Sequence, residues 1–457
     1  MYRFLFFVAI VARAATPTAD LLVELIRIDT SNPPGNEGKL DELIAAKLKP
    51  LGFTVEIFPT PQAGKSHLIA RLKGDGSARP VLIAAHADVV GVEREKWTVE
   101  PFAGLIKDGY VWGRGAIDFK GGLAVFAEAV MRLARNKVPL KRDVIFMVEA
   151  DEEAQPLNTS WLAQTNWDKM DCEFALNEGG WIIKRPDGKV RYVSISTADK
   201  TSISLVLTAR GTSTHSSMPR PDSAIFRLSK AMAKLADYET KPELTASTRE
   251  FFLTLAKTAE PPMSTYFTNL ATSKDPVKIA EADREISKDV LLHAIMRNTI
   301  APVLMNAGFR SNVIPGSAEA TINFRTIPGT TAADLTAEIK KVIADPDVEI
   351  TAPAPGRGPG INNSTRESTT GTDLYRALVE SAQKVWPGVP VTPYLFQAGT
   401  DAGAWRSRGV PVYGIYPYPI SNDDLTRMHG NDERVPIDSL EQGTDLIYST
   451  LLKVAAK

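Results

Sequence analysis

The chain of 457 residues carries 53 lysines and arginines against 54 aspartates and glutamates, a formal net charge of −1, with 44% hydrophobic and 23% charged residues. That balance leaves no electrostatic footprint for nucleic acid or an acidic lipid surface, and the length exceeds what one hydrophobic core organises, so a globular protein of at least two domains is expected. Cys172 is the only cysteine, which excludes an intramolecular disulfide and a zinc site built from thiolates.

In chain order, 1–14 reads as an export signal: Arg3 supplies the positive charge, Phe4 to Ala12 are apolar without a break, and Ala12-Arg13-Ala14 has a small-x-small cleavage pattern. The apolar run is too short to span a bilayer, so no stable membrane anchor is expected, and the location implied is a bacterial periplasm or the exterior. Residues 21–28 and 39–48 have helical apolar spacing, broken by Pro33, Pro34 and Gly35. Short apolar runs at 55–58, 68–72, 81–86 and 144–150 read as buried strands, with a long helix after Asp118 between the last two. This alternation predicts an α/β sheet with helices on its faces.

From about Ile195 the texture changes. Half-exposed strands at 202–210 and 317–327 are each followed by a helical stretch, 224–235 and 331–343, the pattern of an antiparallel sheet covered on one side. Between them 238–303 reads as mostly helical, and a Pro/Gly-rich link at 351–360 leads to a helix at 372–385 and a buried strand at 410–416. The organisation expected is a catalytic domain in two parts, 15–194 and 354–457, around an inserted α+β domain, 195–353.

Five metal-type ligands stand out in a chain with only five histidines: His86 in AAHADVV, Asp118 in GRGAIDFKGG, Glu153 in EADEEAQ, Glu178 in LNEGG and His429 in RMHGND. At a strand end His86 and Asp88 face one side, so the imidazole can bind a metal while the Asp88 carboxylate accepts its other N–H; alone, the pair reads equally as a hydrogen-bonded histidine. Asp118 lies just before a helix start, where capping is an ordinary role, but Gly113, Gly115, Gly121 and Gly122 allow tight packing around whatever it binds. Glu152 and Glu153 follow an apolar strand and their side chains diverge, so one can bind a metal while the other faces a water as general base. His67 and His293 have no motif and read as structural.

Taken with GTSTHSSMP, NVIPG, NFRTIPG, GTDAG and MHGNDERV, these motifs resemble the co-catalytic zinc metallohydrolases that include aminoacylase, carboxypeptidase G, carboxypeptidase S and succinyl-diaminopimelate desuccinylase, over about residues 20–456. The resemblance implies a mixed-sheet α/β catalytic domain with an inserted lid and dimerisation domain, and a homodimer formed through that insert. It also implies two Zn²⁺ ions, with Co²⁺ or Mn²⁺ also acceptable to such ligands. Asp118 would bridge the ions, His86 and Glu178 would complete one shell, and Glu153 and His429 the other. Glu152 would be the general base, Asp88 the orienter of His86, and His215 a donor to the developing oxyanion, in some relatives from the partner subunit. Asn312, Arg325 and Gly399 would contact substrate, and a cis peptide is implied after Asp118.

The function expected is zinc-dependent hydrolysis of an amide or peptide bond in small carboxylate-bearing substrates, of the dipeptidase or carboxypeptidase type. An N-acyl-amino-acid amidohydrolase is the alternative within enzymes, and a catalytically inactive metal-binding relative the alternative outside them.

Overall fold

The computed structural model describes residues 16–352 and 366–457; the export signal expected at 1–14 and all but the first two residues of the link expected at 351–360 lie outside them. A mixed sheet of eight strands forms the larger body, in the spatial order Thr54–Pro59, Ser66–Leu72, Val144–Glu149, Val81–His86, Phe174–Lys184, Val412–Ile420, Val190–Asp199 and Val391–Phe396. Val81–His86 runs parallel to both its neighbours, and Val412–Ile420 runs parallel to Phe174–Lys184. Their carboxyl ends therefore open on one side, where sites in such sheets are built. Thr54–Pro59, expected to be buried, is instead the exposed edge strand, so its apolar residues cover only one face.

Helix Lys120–Arg135 is buried along nearly its whole length because it lies between the sheet and the helices Pro17–Ile26 and Ile437–Ala455. Its first turn is glycine-paired for steric reasons. A Cβ at Gly122 would come 2.1 Å from the Phe119 ring, and one at Gly121 would come 2.2 Å from the Ala116 carbonyl oxygen.

The second body is a four-stranded antiparallel sheet, ordered Thr299–Ala307, Ser317–Thr326, Thr201–Arg210 and Val348–Thr351. Ile203, Leu205, Leu207 and Ala209 alternate inward against helices Ala224–Ala236 and Ala332–Ile343, making a small core of their own. A capping box of Thr331 and Asp334 starts the second helix, an arrangement worth about 1 kcal/mol.

The stretch 238–303 is mostly helical, as expected, up to Ile295, and then Thr299–Ala307 forms the edge strand of the smaller sheet. The insert expected at 195–353, however, is not one unit in space. Val190–Asp199 belongs to the large sheet, so the boundary falls at Lys200, and the helices between Ala246 and Ile295 bury Phe251, Phe252, Phe267, Ile286 and Ile295 in the core of the catalytic body. Helical periodicity shows that these helices have an apolar face; it does not say which core receives it. Among the described residues no helix is long and apolar enough to cross a membrane.

Candidate metal centre

The five ligand-type residues converge at the carboxyl ends of the parallel strands. His86 ends its strand in register with Glu149, Glu152 and Glu153 follow three and four residues later, and Glu178 lies in the adjacent strand. Asp118 approaches from the loop before helix Lys120–Arg135, and the peptide after it is cis. His429 comes from a loop with left-handed backbone, φ 60°.

Asp118 turns one oxygen to each histidine: Oδ1 is 3.1 Å from His86 Nε2 and Oδ2 is 3.0 Å from His429 Nε2. His86 Nε2 is also 3.6 Å from Glu178 Oε2, and His429 Nε2 is 3.1 Å from Glu153 Oε1. Donors sharing one tetrahedral ion at 2.0–2.1 Å should stand about 3.3 Å apart, so this spacing suits metal ligands. His86, Glu152 and Glu178, and separately His86, Asp118 and Glu153, offer ligand atoms within 4.8 Å of one another.

The tautomer agrees. His86 Nδ1–H donates to the Asp88 main-chain carbonyl at 3.0 Å, leaving the Nε2 lone pair directed at the carboxylates. The Asp88 carboxylate is 3.6 Å from Nδ1, beyond a hydrogen bond, so the orienting contact expected of it is made by its main chain. The carboxylate instead accepts the backbone N–H groups of Glu152 at 3.2 Å and Glu153 at 3.0 Å. Asp151 just before them has φ 62°, a conformation costing about 1 kcal/mol for a residue with a Cβ.

Four carboxylates thus surround two imidazoles, and among the described residues no lysine or arginine pairs with them. Burial, reinforced by Glu178, pushes the Glu152 carboxyl well above the usual range, and burial raises Glu178 to about 7. Burial would also raise Asp118, but the hydrogen bonds from His429 and His86 outweigh it and hold that carboxyl well below its ordinary value. A pair of divalent cations would relieve this excess of buried negative charge, so the residues fit a two-metal centre in donor type, spacing and charge.

The same pocket takes in Arg325, Gly399, Lys200, Ser202, Phe396 and Met428. The Arg325 main chain is paired in the sheet opposite Thr299 and Ser202, but its guanidinium has no hydrogen bond or ion pair among the described residues; burial depresses it, and Glu152 is the charge that supports it. His215 and Asn312 do not line this pocket. They sit side by side on a two-stranded ribbon in which Thr214–His215 pairs with Val313–Ile314, and exposed His215 Nδ1 lies 2.8 Å from Ser217 Oγ.

Sequence reasoning missed several contributors. Tyr416 Oη is 2.8 Å from Glu178 Oε2 and 3.0 Å from Asp118 Oδ1. Fully buried Glu433 accepts the backbone N–H groups of Ile117 at 2.7 Å and Asp118 at 3.0 Å while pairing with Arg114 at 2.6 Å, which ties the Asp118 loop to the His429 loop. Lys200 Nζ donates to the carbonyls of Ala294 at 2.8 Å and Arg297 at 2.7 Å, and burial, then Arg325 and Arg297, push it down to about 7. Glu433 lies in the MHGNDERV motif and was within reach of a motif reading; Tyr416 carried no signal beyond its strand.

A family model described as Peptidase family M20/M25/M40 matches residues 82–453. Probable carboxypeptidase S-like 2 of Dictyostelium discoideum is 32% identical over 389 residues, covering 83% of this chain and 73% of the relative. Human N-fatty-acyl-amino acid synthase/hydrolase PM20D1 is 28% identical over 390 residues, covering 84% and 76%. Among solved structures, an M20 family metallo-carboxypeptidase from Sulfolobus solfataricus superposes with TM-score 0.69 at 19% identity, over 96% of this chain and 99% of that one. Human carnosine dipeptidase 1 gives 0.66 at 16%, over 95% of each.

Proposed function

Because this chain belongs to peptidase family M20/M25/M40, and is on that ground a metal-dependent hydrolase, we propose that it uses two Zn²⁺ ions to cleave an amide bond in small substrates bearing a free carboxylate, dipeptides or the C-terminal residue of short peptides. The observation that carries this reading is one pocket that holds the metal-type ligands, the desolvated Glu152 carboxyl and an unpaired Arg325. When bound, the cations acidify a water and polarise the scissile carbonyl.

His86, Asp118, Glu153, Glu178 and His429 would hold the pair. Glu152 takes a proton from the attacking water, whose oxygen bonds to the carbonyl carbon; as the C–N bond breaks, Glu152 passes that proton to the leaving nitrogen, giving acid and amine. Arg325 receives the substrate carboxylate with its guanidinium fork, and Gly399 offers main-chain contact. Asp88 keeps His86 and the Glu152–Glu153 turn in register.

A second reading, hydrolysis of N-acyl amino acids, has support from the apolar side chains Phe396, Ala398 and Met428 that line the same pocket as Arg325 and suit an acyl chain, and from the similarity to PM20D1. The same centre serves both. Turnover of matched dipeptides and N-acyl amino acids by the zinc-loaded protein separates them: cleavage of dipeptides alone supports the first reading, cleavage of acyl substrates alone the second, and no turnover of either removes both.

The reading includes export and a homodimer through the smaller sheet. Its edge strand Thr299–Ala307 exposes Val303, Leu304 and Met305, with Phe309 79% exposed just beyond, an apolar edge that a second copy would cover. His215, outside its own chain's pocket, would then serve the partner's site, with Asn312 beside it.

A further inference from the structure

The turn carrying Glu152 and Glu153 belongs to no helix or strand, and it begins at a residue in left-handed conformation. Something outside the turn must hold it. Asn32 Nδ2 donates to Asp88 Oδ2 at 2.7 Å and to Asp151 Oδ1 at 2.8 Å, while Asn32 Oδ1 accepts from Lys65 Nζ at 2.8 Å. Lys65 also pairs directly with Asp151. All four side chains are buried, none of these residues more than 7% exposed. Both amide protons of Asn32 and one of the two lone pairs on its oxygen are used.

Asn32 is itself fixed by its main chain. Its N–H donates to the Val89 carbonyl at 2.8 Å, and Thr30 Oγ1 donates to the Ala87 carbonyl at 2.7 Å, so this segment lies along the chain leaving His86. The two carboxylates that Asn32 joins face the turn from opposite ends. Asp88 accepts the N–H groups of Glu152 and Glu153, and Asp151 Oδ2 accepts the N–H of Leu157 at 2.6 Å, where the turn leaves. Among the described residues Lys65 is the one cation hydrogen-bonded to Asn32 and Asp151. Without it, two buried carboxylates would share one amide and repel each other.

We propose that Asn32 and Lys65 form a latch, a pair of positioning residues that clamps Asp88 to Asp151 and thereby fixes where Glu152 and Glu153 stand. This rests on the reading of Glu152 as base and Glu153 as metal ligand. Neither latch residue touches the reacting atoms; both act through the turn, where a displacement on the order of 1 Å costs about 10²-fold in rate.

The test uses the full chain loaded with zinc. Lys65→Met and Asn32→Ala should each lower kcat at saturating zinc by about 10²-fold while KM stays within about threefold, because ground-state binding by Arg325 is untouched. The double variant should be no slower than the poorer single variant, since one latch is broken either way. Lys65→Arg should recover part of the loss. Independently of turnover, zinc affinity read by competition with a chromophoric chelator should fall about tenfold, as Glu153 loosens. Wild-type kcat in a single variant, losses that multiply in the double, or unchanged zinc affinity would overturn the latch. Should Lys65→Met fail to fold, Asn32→Asp, which keeps the shape and removes the donors, decides by the same measurements. If the wild type cleaves no amide at all, that failure belongs to the functional reading, and the zinc titration alone judges the latch.

Discussion

Arg325→Ala separates substrate recognition from folding with unusual clarity. In the strand Ser317–Thr326, Arg325 stands opposite Ser202, and the neighbouring Asn323 supplies the cross-strand contacts to Ser202 and Ser204 at 2.9 and 3.1 Å. The guanidinium itself has no hydrogen-bond partner among the described residues, so truncation breaks no polar contact and costs only the packing of its half-buried stem, about 1 kcal/mol. A substrate carboxylate, by contrast, would lose a charged hydrogen bond worth about 1.5–3 kcal/mol, or about 10- to 150-fold in kcat/KM. The assay is kcat/KM on one substrate in two forms, free acid and C-terminal amide. Only the acid should suffer, and Arg325→Lys should recover a part, because an ammonium keeps the charge but not the fork. Equal loss on acid and amide would show that Arg325 shapes the sheet and does not read the carboxylate.

Glu152→Gln should retain its metal, measured by elemental analysis, and lose about 10²–10⁴-fold in kcat, because it removes the proton acceptor and leaves the proposed ligands in place. Tyr416→Phe should weaken metal binding in a chelator competition by about tenfold, as one hydrogen bond to a charged ligand carboxylate is lost. Mixing His215→Ala with Glu152→Gln should restore about one quarter of wild-type activity if subunits exchange and His215 works across the dimer; activity no higher than the sum of the two alone would place His215 elsewhere. His67 is held down to about 4 by burial, with Nε2–H donating to Leu157 and Nδ1 accepting from Ala150. The unfolded chain therefore binds more protons between about 6.5 and 4, and stability should fall by about 3 kcal/mol as pH drops through that window. His67→Phe should flatten this part of the pH profile in denaturant titrations, and an unaltered profile would show that the imidazole titrates freely.

The candidate cluster was legible because His86 ends an apolar strand, Glu152 and Glu153 lie just beyond another, and Glu178 interrupts a third, so short-range pattern and chemistry coincide. What lay beyond the sequence was contact at long range. Nothing local joins Asn32 to Asp151, or Glu433 to the amide of Asp118, because those bonds exist only once the sheet has ordered its strands. The strands Val190–Asp199 and Val391–Phe396 escaped for a related reason: their polar residues, Ser194, Ser196, Thr197 and Thr392, are buried between neighbours and break the apolar signature. Asp88 shows a finer limit. Its place beside His86 was readable, but whether carbonyl or carboxylate makes the contact depends on the turn that competes for the carboxylate.

The burial of the helices between Ala246 and Ile295 in the catalytic core bears on how this protein can be cut and rejoined. The chain leaves the large body after Asp199, returns to it between Ala236 and Ala246, leaves again between Ile295 and Thr299, and comes back between Thr351 and Asp373. The smaller sheet is thus no cassette on a single pair of stems. Deleting 201–351 in one piece would strip Phe251 from Tyr192 and Tyr394, rings now 5.4 and 5.3 Å away, and lay open a flank of the remaining sheet. A shortened protein that keeps this flank covered needs two excisions, 201–236 and 299–351, with the helical segment left in place, and grafting a foreign lid calls for the same four joints.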